Sequence, residues 1–507
     1  MIDSKKGRTS SSLRRALLDG SYQSLTNIYF LLIRGIYVVV LASILGAEFY
    51  GQYVFAQSWY LLALTASTWG MNELVIAEWI RTEPSRQKDL TATGLGLRLL
   101  LGITMTVIVA GSAMLFEPDR TFRLLIMIYA QGIVVRGITG WFVVLFVARE
   151  RSQYGLYLTV PFLTLEVVVA IVLALQGAGL IVIALAQCMI WWLTLFAAWF
   201  MYRSNFELLT PRFNKRYLAF FLRKGASLAL AAFLLGWLGP GLLIIYRYLS
   251  TGTEQLGEAA FVIQMFVILG QAIRVVSNSA LPQLNRQVTN LRQRQGFYAE
   301  TIWKQSLYLG GAGFVLGYWT LQPILLAVIG PDFARAASLF SRFCWLLIPL
   351  LLISGLRLVL ISNNLSRGFL LAIIVGVMLL AAQLAIISWL GNVSLDALLT
   401  ALGISYCGIA AIIIATIQRR LALFTLTKLL VPFVLLFATL ASFFVLGQYS
   451  PVLAVLLAST VLSAASFLEF RAAHRELTNT GSNETADGIA GKRTARPGGG
   501  DSPGSGS

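Results

Sequence analysis

Apolar runs long enough to cross a bilayer follow one another along almost the whole chain, separated by short polar turns. A membrane-spanning helix needs about 20 such residues. Runs of this kind lie near 24–45, 51–70, 92–116, 122–147, 155–176, 179–201, 219–247, 258–281, 305–329, 336–361, 368–390, 396–417, 428–447 and 451–470. Lipid offers no partner to backbone N–H and C=O groups, so each run must satisfy its own as a helix. The expected fold is an all-α polytopic membrane protein of about 14 transmembrane helices. Charged residues make up only 12% of the 507, about half the share in soluble proteins.

The turns give the orientation. Those at 45–51, 116–121, 176–179, 250–258, 330–336, 391–397 and 447–450 are short and often acidic. The opposite side holds the N-terminus, 81–88, 148–154, 201–224, 282–304, the Arg367 turn, 418–428 and the C-terminal tail. That side carries 29 of the 39 lysines and arginines. The positive-inside rule then places both termini in the cytoplasm, with the alternation holding through all fourteen spans. Most of the net charge of +17 is thus a topology signal and a contact for anionic headgroups of membrane lipids. The basic loops are short and lack interleaved aromatics, which argues against a nucleic-acid partner.

A repeat divides the chain. Gly20 precedes the first span, and Glu48-Phe-Tyr-Gly51 followed by Gln57 opens the second. About 205 residues later Gly225 enters the seventh span, and Glu254-Gln-Leu-Gly257 followed by Gln264 opens the eighth. The pattern predicts two six-helix lobes of like orientation related by a pseudo-two-fold repeat. Expected boundaries are a basic cytoplasmic N-terminus over 1–20, an N-lobe over 21–201, an amphipathic linker over 202–218 and a C-lobe over 219–417. Two further spans occupy 418–470, and a Gly/Ser/Pro-rich tail expected to be disordered fills 471–507. Parallel repeats of this type place a substrate site between the lobes.

Several chemistries are disfavoured. No Gly-x4-Gly-Lys-Ser/Thr phosphate loop is present. The three cysteines, Cys188, Cys344 and Cys407, sit in apolar runs at wide spacing, and the single histidine, His474, lies in the tail. Neither metal nor cofactor is expected, and no outer loop is long enough to house the catalytic groups of a glycan polymerase or ligase.

Charge inside the membrane is the informative feature, because an ionisable group at bilayer depth is costly and marks function by default. Arg34, Arg98, Arg136, Arg274, Arg342 and Arg357 lie within spans, against one deep carboxylate, Glu166. Arg34 and Arg136 are central. Arg98 and Arg274 lie about two turns from the cytoplasmic end, while Arg342 and Arg357 are close enough to a helix end to snorkel. Arg247, at the outer end of the seventh span, either lines an outward mouth or snorkels. Glu166 is read as a neutralising partner for Arg136 or Arg34, or as a proton- or sodium-coupling carboxylate. A guanidinium-lined cavity selects anions, and the planar fork suits phosphate. Pro240 kinks the seventh span, as a hinge for alternating access or for packing alone.

The segment Leu45-Gly-Ala-Glu-Phe-Tyr-Gly-Gln-Tyr-Val-Phe-Ala-Gln57, with Thr68-Trp-Gly70, Glu78-Trp-Ile-Arg81 and Gly330-Pro-Asp-Phe-Ala-Arg-Ala336, resembles bacterial polysaccharide-biosynthesis flippases. These are the Wzx-type members of the multidrug/oligosaccharidyl-lipid/polysaccharide (MOP) exporter superfamily. The resemblance covers roughly residues 10–470. It implies a two-lobed, V-shaped transporter, not an enzyme, in the bacterial inner membrane. The implied substrate is an undecaprenyl-pyrophosphate-linked oligosaccharide for O-antigen, capsule or exopolysaccharide, passed to a glycan polymerase and chain-length regulator of the same pathway. Arg34 is the best match to the family's cationic cavity; Arg136, Arg98, Arg274 and Arg247 are proposed from depth and charge. A cation-coupled drug or metabolite antiporter of the same fold is the alternative, with a glycan polymerase or ligase behind it.

Overall fold

A computed structural model describes the backbone of residues 3–79, 81–250, 252–279, 292–363, 365–391, 393–421, 426–448, 450, 452–469 and 471. Side chains are described for these residues except 3–17, 77, 274–279, 292–298, 361–362, 366, 421 and 426–429. Apart from Arg471, the expected disordered tail, His474 included, falls outside the described residues.

The first helix, α1, runs over Asp3–Thr68. Its apolar part alone covers Leu18–Ile76 with the short helix that follows, about 90 Å of helix at 1.5 Å per residue, roughly three bilayer cores. The chain avoids this by folding back at Gly46, whose φ of 72° and ψ of 171° lie in a region essentially restricted to glycine. The two limbs of α1 are therefore the first two spans. A left-handed pair, Trp69 and Gly70 (φ 49° and 62°), turns the chain into α2 (Met71–Trp79). Then follow α3 (Pro84–Phe116), α4 (Arg120–Ala148), α5 (Gln153–Leu175) and α6 (Leu180–Asn205). Asp119 caps α4, its carboxylate accepting from the N–H groups of Thr121 and Phe122, the standard remedy for orphaned donors at a helix start.

The second half repeats the plan. Helices α7 (Lys215–Trp237) and α8 (Pro240–Leu249) make one broken span, followed by α9 (Thr253–Ser279) and α10 (Arg292–Ile329). Next come α11 (Ala334–Arg342), α12 (Leu347–Ser362), α13 (Ser366–Trp389) and α14 (Leu395–Leu421). Two appended spans, α15 (Leu426–Gly447) and α16 (Val452–Glu469), complete the chain. Thirteen described helices are long and apolar enough to cross a membrane. Since the first of them holds two spans, this matches the fourteen expected from sequence.

Packing follows the repeat. In the N-lobe the first limb of α1 packs on α5, α3 on α4, α4 on α6 and α5 on α6; in the C-lobe α7 packs on α13, α10 on α12, α12 on α14 and α13 on α14. Helices α15 and α16 lean on α10, where Lys304 on α10 reaches both carboxylate oxygens of Glu469 on α16 at 3.0 and 3.1 Å. Outward faces carry large apolar side chains such as Leu115, Met189, Phe200 and Trp389, which is affordable only against lipid. This is a multi-pass membrane protein.

The last residues of the expected linker, from Lys215 on, are continuous with the seventh span in α7. Residues 206–214 instead strap across the start of α3. The Arg212 N–H donates to the Ala92 carbonyl at 3.2 Å, and Lys88 contacts Glu207 at 2.7 Å. That hydrogen bond from the ammonium holds the Glu207 carboxyl below its usual pKa.

Candidate functional site

Three contacts between α1 and α5 fix how the first limb of α1 presents its arginine. Near the basic face, the Ser152 N–H and hydroxyl donate to the two Asp19 oxygens at 2.7 and 2.9 Å. Further in, the Tyr29 hydroxyl bonds to that of Thr164. Deeper still, Arg34 Nη2 donates to Glu166 Oε1 at 3.1 Å.

Glu166 is shared. Its second oxygen lies 3.7 Å from Arg136 Nη2 on α4. The carboxylate is only 2% exposed, whereas Arg34 and Arg136 are 19% and 23% exposed. One buried anion thus faces two guanidiniums that still reach open space, leaving one positive charge uncompensated. Aromatic rings shape the rest: Arg34 lies 5.7 and 5.8 Å from the Phe30 and Tyr37 ring centroids, and Arg136 lies 5.3 Å from that of Trp191. Trp191 is stacked on Tyr60 at 5.0 Å. Cation–π contacts of this kind steady a guanidinium without neutralising it.

Behind these groups sits a buried polar cluster. The hydroxyls of Tyr37 and Tyr53 meet at 2.6 Å, and both bond to the Gln187 amide, which also accepts from Tyr129 at 2.7 Å. With three edge-on tyrosine rings around one amide, the cluster is satisfied and rigid, as buried polar networks must be to be tolerated.

The space in front is a cavity of about 480 Å³. Arg34, Arg136, Tyr37, Tyr53, Tyr60 and Trp191 form its N-lobe wall, and Gln264, Val267, Ile268 and Gln271 of α9 form its C-lobe wall. None of the described lining residues is Asp or Glu. The described lining therefore carries positive charge only, from Arg34 and Arg136.

The other sequence-proposed residues are placed elsewhere. Arg98 does not line the cavity. It is 2% exposed, lies 5.7 Å from the Trp141 ring centroid and donates to Asn72 Oδ1 at 2.9 Å. Asn72 does line the cavity, so Arg98 touches the site only through it. Arg247 pairs with Glu117 at the end of α3, 3.8 Å away and across the lobe boundary, and sits 4.7 Å from the Phe122 ring centroid. It too is off the cavity wall. The Arg274 side chain lies outside the described residues. Arg342 donates to Ser338 near its own helix end. Pro240 is the first residue of α8, after a break at Leu238 and Gly239 (φ −133°, ψ −104°), so span 7 is bent where sequence placed the kink. The tyrosine–Gln187 cluster and the α9 glutamines were not singled out as site residues from sequence. Neutral side chains in apolar runs lack the charge anomaly that exposes an arginine.

A sequence profile of the family described as "Polysaccharide biosynthesis protein" matches residues 17–282, just over half of the chain. No curated protein matches the chain significantly. Among solved structures, the fold is similar to that of a lipid II flippase MurJ in an inward closed conformation, with a TM-score of 0.66 at 10% identity over 90% of this chain and 99% of that one. It is similar also to an inward-facing multidrug resistance MATE family transporter of the MOP superfamily, with a TM-score of 0.57 at 12% identity over 79% and 98% of the two chains. A MOP superfamily transporter from Pyrococcus furiosus matches with a TM-score of 0.50 at 15% identity, over 80% and 94%. At such identities the likeness is one of fold. The chain belongs to the polysaccharide biosynthesis protein family and carries the fold of the MOP superfamily.

Proposed function

We propose that this protein is a flippase for an undecaprenyl-pyrophosphate-linked oligosaccharide. In this reading it sits in the bacterial inner membrane with both termini in the cytoplasm, and moves repeat units from the cytoplasmic to the periplasmic leaflet for a downstream glycan polymerase and chain-length regulator. The observation that carries the reading is the cavity wall: two partly exposed guanidiniums held by one buried carboxylate, with no acidic lining residue among those described. A diphosphate would take the open faces of Arg34 and Arg136, each able to give paired hydrogen bonds. The same wall disfavours a carrier of cationic drugs, which would meet like charge. One protein of similar fold is a lipid II flippase, which agrees with a flippase reading.

In this scheme Glu166 orients the two arginines and trims their charge so that the diphosphate can leave. Pro240 and the break before it let α7 and α8 flex as the lobes rock.

The test is surface glycan display in a deletion strain complemented with wild type, Arg34→Ala, Arg34→Lys or Arg136→Ala at matched protein levels. The expected result is loss of display with accumulation of lipid-linked repeat units for both alanine variants, and partial loss for Arg34→Lys. Unchanged display in the deletion strain itself would remove the flippase reading. Normal transport by both alanine variants would remove the site.

A further inference from the structure

The two walls of the cavity differ in kind, and the C-lobe wall has no part so far. On α9, Gln264, Val267, Ile268 and Gln271 are spaced i, i+3, i+4, i+7, so they form one stripe of a helix face, and all four line the cavity. The stripe is amide, aliphatic, aliphatic, amide. Both glutamines are half-buried. Among the described residues neither amide has a hydrogen-bond partner, in contrast to Gln57 on the facing wall, which donates to Tyr53, and Gln187, which is fully engaged. Gln57 follows Gly51 by six residues and Gln264 follows Gly257 by seven, so each lobe contributes an amide from the same stretch of its second helix to one cavity, and only the C-lobe's is left open. An amide side chain carries two donors and two acceptor lone pairs. Half-exposed on the cavity and not engaged by other side chains, both amides are free to exchange water for the polar groups of a ligand.

We propose that Gln264 and Gln271 are the glycan-reading groups of the site. They would hydrogen-bond the hydroxyl or acetamido groups of the first sugars, while Arg34 and Arg136 on the opposite wall hold the diphosphate. This rests on the flippase reading and adds to it a division of labour: the N-lobe recognises the constant anion and the C-lobe recognises the variable sugar. Amides suit the task because they pair with neutral hydroxyls in either sense. They also add no charge that would compete for the diphosphate. Val267 and Ile268 between them offer an apolar patch for the face of a sugar ring.

The experiment compares two probes on the purified full-length protein. One is sugar-free undecaprenyl diphosphate; the other is the lipid-linked oligosaccharide extracted from the deletion strain. Wild type is expected to bind the second about tenfold more tightly than the first, the scale of one or two net hydrogen bonds. In Gln264→Ala/Gln271→Ala the affinity for undecaprenyl diphosphate stays within about twofold of wild type, which also shows that the variant is folded, and the tenfold sugar increment disappears. Arg34→Ala weakens both probes. An increment that survives in the double glutamine variant would overturn the assignment of these residues. So would the absence of any increment in wild type. Failure of wild type to bind either probe, or of the deletion strain to accumulate the lipid-linked species, would instead sink the flippase reading on which it rests.

Discussion

Glu166 stands between two guanidiniums and is almost wholly shielded, so its removal and theirs are not equivalent changes. Taking the carboxylate away leaves two partly desolvated cations facing each other, and breaking a buried pair from one side costs about 3–5 kcal/mol. Taking away Arg34 leaves Glu166 still facing Arg136. We therefore expect Glu166→Gln to lower the thermal unfolding midpoint of the purified protein more than Arg34→Ala does. The double variant Arg34→Ala/Glu166→Gln should recover part of that loss while remaining unable to transport. Equal losses in the two single variants, or no recovery in the double, would show that the three groups do not act as one unit. The central depth of Arg34, Arg136 and Glu166 was legible in the sequence, because a charge amid apolar residues stands out. Glu166 was readable as a partner for one arginine or the other, but that it holds both was not, since this depends on how α1, α4 and α5 rotate about their own axes. Arg98 shows the other side of the same difficulty. Its depth resembled that of a cavity residue, yet one face of α3 turns it onto Trp141 and Asn72.

Among the helices, the fold-back at Gly46 shows what a span count rests on. Its backbone conformation excludes side chains, although a methyl group there would meet nothing closer than Asp332 Oδ2 at 3.9 Å. Any cost of Gly46→Ala is consequently conformational, about 1–3 kcal/mol for a residue forced into that region. Gly20 is the contrast: it lies within α1 in an ordinary helical conformation, with nothing within 4 Å of an added methyl group. Alanine there should stabilise by about 0.5–1 kcal/mol, since glycine is the poorer helix former. Melting curves of the two variants should shift in opposite directions, and a shift of the same sign in both would contradict the assigned fold-back. The spans were readable because hydrophobic length and loop charge are one-dimensional signals. Breaks inside a span were less so. Pro240 announced the one between α7 and α8, whereas the 3-10 turn at Phe343–Leu346, between α11 and α12, is marked only by Pro349 in the first turn of α12, a signal also consistent with an unbroken span.

Taken as one body, the molecule has its lobes joined at the face that carries the short acidic turns. There Gly51 and Gly257, the matching glycines of the repeat, lie against each other: a methyl group on Gly257 would sit 1.8 Å from the Ala47 carbonyl oxygen, and one on Gly51 2.7 Å from the Gly257 nitrogen. The repeat had shown that these glycines correspond, but only the three-dimensional arrangement of the lobes shows that they touch. Around this crossing the Arg247–Glu117 pair, the Tyr248 hydroxyl on Glu117 at 3.3 Å and the Thr253 hydroxyl on Glu48 at 3.4 Å all bridge the two lobes. In the proposed transport cycle, passage of a substrate through this face requires those bonds to part, so their strength sets how much of the protein rests with the face closed. A disulfide between Glu48→Cys and Thr253→Cys, formed in a background without the three native cysteines, reports that closed population. Gly257→Ala blocks the close approach and should abolish the cross-link. Arg247→Ala removes one bridge and should slow cross-linking several-fold, on the order of the 1–2 kcal/mol carried by a partly desolvated charge pair. Exchanging the charges, Glu117→Arg with Arg247→Glu, restores opposite signs across the same gap and should bring the rate back toward wild type. If the exchanged pair cross-links no faster than Arg247→Ala, the bridge between Glu117 and Arg247 does not hold the lobes together.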